Sequence, residues 1–308
     1  MENDLIRYFR QRVPGHRLLE VGLGDDAAVL RLGGRQYVLT VDMLSDHVDF
    51  ELAEVDPRRV GRKLLAVNLS DMAAMAARPL AAVVALLLPR TGGMELAKAL
   101  YEGLLPLAEQ YDLAIAGGDT NSWDGPLAAS VTILGQTTER GPLTRSGARP
   151  GDEILVTGWF GGSILGKHLD FQPRVDEALL LHQRYDLHAG IDCSDGLALD
   201  LARLAEESGC GAAVELAAVP VAEDAHRLAE QLADGSTPLD HALADGEDFE
   251  LILAVPSDQA QRILADQPLG VPIFRIGQFI ERRGLWEQTA DGQLRPLRAV
   301  GWEHKFHG

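Results

Sequence analysis

Cysteine, positive charge and long apolar runs are all scarce in this sequence. The two cysteines, Cys193 and Cys210, form no CxxC pair. They offer no argument for a zinc site or a disulfide framework, and are expected to be small core residues in a reducing compartment. Lysine and arginine total 28 against 46 acidic residues, a formal charge of −18. Such a chain is not built to bind nucleic acid or an anionic membrane surface non-specifically. The longest strictly apolar run, Leu80–Leu88, is too short to cross a bilayer and stops at Pro89. The first ten residues are charged and contain no signal-peptide apolar stretch. The expectation is a soluble cytoplasmic protein with neither nucleic acid nor membrane as partner.

What is present is enough for a sizeable core. With 308 residues and 46% hydrophobic content, the chain suits one large domain or two of about 150 residues each. A helix is expected at 4–12. Gly22–Leu30 reads as a glycine turn entering a strand, which would send Asp25 and Asp26 to opposite faces. Tyr37–Leu44 reads as a strand carrying Asp42. Asp56-Pro57 is a helix start, and Arg78-Pro79 the expected stop. Leu80–Leu88 is expected as a strand buried on both faces. A helix over 91–111, a short strand at 113–116 running into the turn Gly117-Gly118-Asp119-Thr120, and a strand at 127–135 follow. Leu143–Asp152 has the composition of a connector. Beyond it, strands are expected at 153–157, 211–216, 251–255, 272–276 and 294–299, interspersed with helices. Acidic turns stand at Ile191–Gly196 and Asp245–Glu250. The class is α/β, two mixed halves meeting at the connector, over 1–145 and 146–308.

One stretch sets the chemistry. Asn68, Ser70 and Asp71 interrupt a helix that is otherwise apolar on nearly every side, so the helix is buried and these groups need partners. A buried carboxylate is costly unless paired or metal-bound. Asp26, Asp42, Asp119, Asp192 and Asp195 sit in similar settings, at strand ends or in glycine turns. Singly, each has an ordinary turn explanation. Together they exceed what one Mg²⁺ takes and suit several ions gathered around a polyphosphate. Thr40 and Ser194 could add hydroxyls, and glycines beside Asp119 and Asp195 allow close phosphate approach. Gly161–His168 nearly spells GxxxxGK[ST], but His168 replaces the hydroxyl that would ligate magnesium, so a P-loop is not expected there.

In order and spacing, Gly22-Leu-Gly-Asp-Asp-Ala27, Asn68-Leu-Ser-Asp-Met-Ala-Ala-Met75, Gly117-Gly-Asp-Thr120, Leu143–Asp152, Ile191-Asp-Cys-Ser-Asp-Gly-Leu197 and Gly246-Glu-Asp-Phe-Glu-Leu251 resemble the thiamine-monophosphate kinase family. The match covers nearly the whole chain. The wider superfamily is similar to aminoimidazole ribonucleotide synthetase. The resemblance implies that two-domain fold, with the N-terminal half forming the sheet of a homodimer. It implies ATP-dependent phosphorylation of thiamine monophosphate to thiamine diphosphate, with several Mg²⁺. Carried over position by position, Asp26, Thr40, Val41 through its carbonyl, Asp42, Asp71, Asp119, Asp192 and Asp195 would organise the metal. Tyr111, Gly118, Asp119, Arg145 and Ser194 would contact ATP. Asp49, Glu247 and Trp302 would contact thiamine phosphate. Asp49 departs from the family, which usually carries His there; His47 stands two residues earlier.

The implied chemistry needs little from a general base, because the acceptor phosphate is already ionised near neutral pH. Positioning and charge neutralisation would carry a direct in-line transfer. Another ATP-dependent enzyme of the superfamily, or a non-catalytic nucleotide-binding maturation protein, are the other readings. A selenide enzyme would need a reactive Cys near the N-terminus, and the hydrogenase-maturation relatives a Cys-bearing tail. Neither occurs here.

Overall fold

The computed structural model describes residues 2–304. After helix α1 (Glu2–Arg12), the first half forms a sheet from β1 (Leu19–Val21), β2 (Ala28–Leu32), β3 (Arg35–Ser45), β4 (Ala77–Pro89), β5 (Ala114–Trp123) and β6 (Ala128–Thr137). Their spatial order is β1-β2-β3-β6-β4-β5. Only β4 and β5 pair in parallel, and helix α3 (Gly93–Gln110) makes that crossover. Helix α2 (Pro57–Ala74) joins β3 to β4.

Both helices pack on one face of this sheet, and that corrects one expectation. β4 is not buried on both sides. Ala82, Val84, Leu86 and Leu88 are buried, whereas Val83 is 46% exposed. A mostly antiparallel sheet covered on one side gives this alternation; the all-buried pattern belongs to parallel sheets with helices on both sides. The register places Val41, Thr132 and Val83 in one row of the open face, and Met43, Ser130, Ala85 and Asp119 in the next.

Helix α2 begins as its sequence dictates. Asp56 accepts the Arg58 N–H at 2.9 Å and Pro57 takes the first position. It ends at Ala74, earlier than Arg78-Pro79, because Ala76 turns left-handed with φ 47°. Pro79 instead lies within β4, where the register slips between Pro79 and Ala81, a place a strand tolerates a missing N–H. β5 likewise continues through its glycines to Trp123 rather than turning at 117–120.

The second half contains β7 (Glu153–Thr157), α4 (Lys167–Asp170), α5 (Val175–Arg184), β8 (Ala189–Asp192), α6 (Leu197–Glu207), β9 (Gly211–Val214), α7 (Glu223–Leu232), α8 (Pro238–Ala244), β10 (Leu251–Val255), α9 (Ser257–Asp266), β11 (Ile273–Ile280), β12 (Gly284–Gln288) and β13 (Leu294–Pro296). The sheet order is β13-β12-β9-β11-β7-β10-β8, antiparallel except at β9–β12. Helix α8 and strand β12 were not foreseen. The α8 signal is legible afterwards: Thr237 and Asp240 form a reciprocal capping box. Helix α2 packs against α4, α5 and β8 as well as its own sheet, so one hydrophobic core runs through both halves.

Candidate active site

The polar residues of α2 face partners from three directions. Asn68 Oδ1 accepts the Asp42 N–H at 3.1 Å, and its amide donates to Leu64 O at 3.2 Å. Ser70 Oγ donates to Asp192 Oδ2 at 2.5 Å, linking α2 to the end of β8. Thr40 Oγ1, on β3, donates to Asp71 Oδ2. Asp26, Asp71 and Asp192 each offer one oxygen, all within 4.8 Å of one another. Thus a loop, a helix and a strand end, drawn from both halves, converge on one point.

The charge balance there is lopsided. Burial first, then neighbouring carboxylates, raises Asp71 and Asp192 well above the usual carboxylate range. Asp42 is pushed up to about 6, by burial and by the charges of Asp195, Asp26 and Asp49. The positive groups are Arg145, whose Nη2 donates to Asp26 Oδ1 at 2.6 Å, and Arg203, which pairs with Asp195 and Asp200. Asp26 Oδ2 is buried and has no hydrogen-bond partner. Six carboxylates, Asp26, Asp42, Asp71, Asp192, Asp195 and Asp200, against two guanidiniums, with an orphaned oxygen among them, fit hard divalent cations. Asp26, Asp71 and Asp192 would hold such an ion, with Asp42 and Asp195 beside them.

A cleft of about 700 Å³ opens over this cluster. Its lining mixes the carboxylates of Asp42, Asp71, Asp192 and Asp195 with apolar side chains that include Val48, Ile164, Leu228 and Trp302. Asp49, Glu247 and Ser194 line it as well.

Sequence and fold comparisons agree with this geometry. The AIR synthase related protein N-terminal domain matches residues 24–137, and its C-terminal domain matches 155–286. The thiamine-monophosphate kinase of Rhodopirellula baltica is 43% identical over 99% of this chain and 97% of its own. That of Escherichia coli K12 is 37% identical over 98% of each. The chain belongs to the thiamine-monophosphate kinase family. A solved structure, AaThiL complexed with AMPPCP and TMP, superposes with a TM-score of 0.82, at 27% identity over 98% of this chain and 96% of that one.

Not every residue singled out by resemblance to this kinase family meets at the cleft within one chain. Asp119 lies on β5 in the row of Met43 and Ala85, facing the open side of the sheet. Val41 also faces that side and is 61% exposed, which leaves only its backbone for the metal side. Gly118 has a packing reason to be glycine, since a Cβ there would sit 1.8 Å from Val84 O. Tyr111 ends α3, where its hydroxyl donates to Pro173 O at 2.8 Å and accepts from Gln172 at 2.5 Å; it does not line the cleft. Trp302 lines the cleft and its backbone N–H donates to Asp195 O at 2.8 Å.

Asp25 and Asp26 lie just before β2 rather than within it, and they do not share one site: only Asp26 joins the aspartate cluster. Arg145 binds both, through its backbone N–H to Asp25 at 3.2 Å and its guanidinium to Asp26. The near P-loop also has another occupation. Gly161 N–H and Gly162 N–H point at the carboxylates of Asp248 and Asp245, and Lys167 reaches Asp248 and Glu250. His168 bonds Ser163 O.

Sequence reasoning missed Lys63, Arg203 and Asp200. Asp200 Oδ2 accepts the N–H groups of Asp195 and Gly196 at 2.8 and 3.1 Å, fixing the acidic turn from below. Its signal was an Asp in the first turn of α6, an ordinary place for one.

Proposed function

We propose that this protein phosphorylates thiamine monophosphate to thiamine diphosphate with ATP, by direct in-line transfer assisted by several Mg²⁺. The observation that carries this is the Asp26–Asp71–Asp192 cluster, two of whose members line a cleft that also presents apolar side chains. Phosphoryl transfer asks for charge neutralisation and alignment, which the carboxylates supply the ligands for. When bound, Mg²⁺ would neutralise the phosphates of both anionic reactants. The chain's own residues do the holding. Ser70 and Thr40 fix the carboxylates of Asp192 and Asp71, Asn68 holds the Asp42 backbone, and Arg145 and Ser194 would contact ATP. Trp302 can stack on an aromatic ring, and Glu247 suits an aminopyrimidine or thiazolium. Absence of a phospho-enzyme is supported by the state of two nearby side chains. Both ring nitrogens of His241 are bonded, by Asp245 at 2.9 Å and Ser236 at 3.0 Å, and Cys193 is fully buried.

The open sheet face supports a homodimer built on residues 1–145, with 146–308 completing each cleft. Val41, Met43 and Val83 are 61, 69 and 46% exposed there, a run of neighbouring apolar side chains of the kind an interface covers. Asp119 and Gly118, on the far edge strand, would then join a site across the dimer rather than within one chain. Incubation with ATP, Mg²⁺ and thiamine monophosphate tests the activity. ADP and thiamine diphosphate should form together; ADP alone, or neither, rejects it.

A further inference from the structure

Lys63 is the only lysine or arginine among the described residues that is completely buried. It stands on α2 seven residues before Ser70, two helical turns along the same stripe. Its Nζ donates to the Glu247 carboxylate and, at 2.9 Å, to the Asp49 carbonyl. One buried ammonium therefore ties together a loop of the first half and an acidic turn of the second.

Both partners have backbones fixed by other means. Glu247 adopts φ 53° and Phe249 φ 51°, left-handed values that non-glycine residues hold only when their surroundings impose them. Here the Glu247 N–H donates to Ser194 O at 2.7 Å and the Phe249 N–H to Cys193 O at 2.8 Å. Ser163 Oγ closes the same turn on Gly246 O at 2.7 Å. The Asp49 segment folds on itself, Asp49 Oδ2 accepting the Ser45 N–H at 2.7 Å. What remains unset by these bonds is the direction of the Glu247 side chain and the separation of the two segments across the cleft. Lys63 sets both. None of the described cleft-lining residues is lysine or arginine.

We propose that Lys63 is a positioning residue for the phosphate-acceptor substrate, aiming the Glu247 carboxylate at its cationic or amino-bearing ring. This rests on the reaction proposed above. It predicts an effect confined to one of the two substrates. A lysine serving only the core would lower stability without separating the two KM values.

The test is steady-state kinetics and thermal unfolding of Lys63→Met, Glu247→Gln and the double variant. Lys63→Met should raise the KM for thiamine monophosphate about tenfold while the KM for ATP stays within twofold. In the Glu247→Gln background the same change should move the thiamine monophosphate KM less than twofold. Equal shifts in both KM values, a full tenfold effect without Glu247, or a fall in Tm alone would each overturn the proposal. If Lys63→Met does not fold, the double variant, which leaves no orphaned charge, must match Glu247→Gln in KM. A higher KM, or failure of both to fold, assigns Lys63 to the core alone. A wild-type enzyme that makes no thiamine diphosphate rejects the proposed reaction instead.

Discussion

Lys167→Met separates the two readings of the glycine turn at 158–166. Lys167 Nζ lies 3.4 Å from Asp248 Oδ1 and 3.2 Å from Glu250 Oε1, and donates to Trp159 O at 2.8 Å. Glu250 keeps other partners when the lysine goes: a two-pronged bond from Arg174 at 2.8 Å on each prong, and Thr157 Oγ1 at 2.8 Å. Asp248 keeps only the Gly161 N–H, at 2.9 and 3.1 Å. The attraction at such a distance is roughly 5 kcal/mol at an effective dielectric of 20. Breaking a buried pair costs about 3–5 kcal/mol. Two facts reduce that: the lysine side chain is 26% exposed, and Asp248, already pushed up to about 7 by burial, can take a proton. The expected loss is about 2 kcal/mol, or roughly 3 °C in Tm for a chain of this size. The assay is thermal unfolding alongside the KM for ATP, which should stay within twofold. An unchanged Tm with a tenfold rise in the KM for ATP would refute the reasoning and make the turn a phosphate loop.

Further outcomes follow from the same geometry. Asp248 has a folded pKa of about 7, raised by burial from 3.8. Its stabilising contribution is therefore full below about pH 4 and lost as pH rises through 7, about 4 kcal/mol in all. Urea midpoints should fall between pH 5 and 8, and Asp248→Asn should flatten that slope; parallel curves would contradict it. Asp71→Asn keeps an oxygen acceptor for Thr40 and removes a like charge. Circular dichroism and Tm should be near normal while turnover drops by about 10²–10³, and a normal rate would exclude Asp71 from the site. Val83→Asp puts a charge on the open sheet face and should leave a folded monomer by light scattering, whereas an intact dimer would place the interface elsewhere.

The parts of the fold legible in the sequence are those set by local rules. Asp56-Pro57 gives the start of α2, and the period-two and apolar runs give most strands. The misplaced features depended on tertiary context. Leu80–Leu88 is apolar throughout, and no periodicity could say that helices would cover only one of its faces. Arg78-Pro79 looks like a helix stop, yet the turn came at Ala76, whose left-handed backbone carries no sequence signal. At the site, Asp26, Asp71 and Asp192 were visible as polar groups in settings where burial requires a partner. Lys63 was not. A lysine in a helix ordinarily extends to water, and only the arrival of Glu247 from 184 positions later in the chain makes its burial tolerable.

Helix α2 has one more implication, for the order in which the molecule comes together. Its first-half sheet gives it a seat, but Ser70 and Lys63 find their side-chain partners only in Asp192 and Glu247. A chain still emerging from the ribosome at residue 150 would own two of the three clustered aspartates and no acidic turn to close over them. The aspartate cluster is thus among the last things completed. On the reaction proposed above, nucleotide capture would be a property of the finished molecule, and an incomplete chain would not sequester ATP.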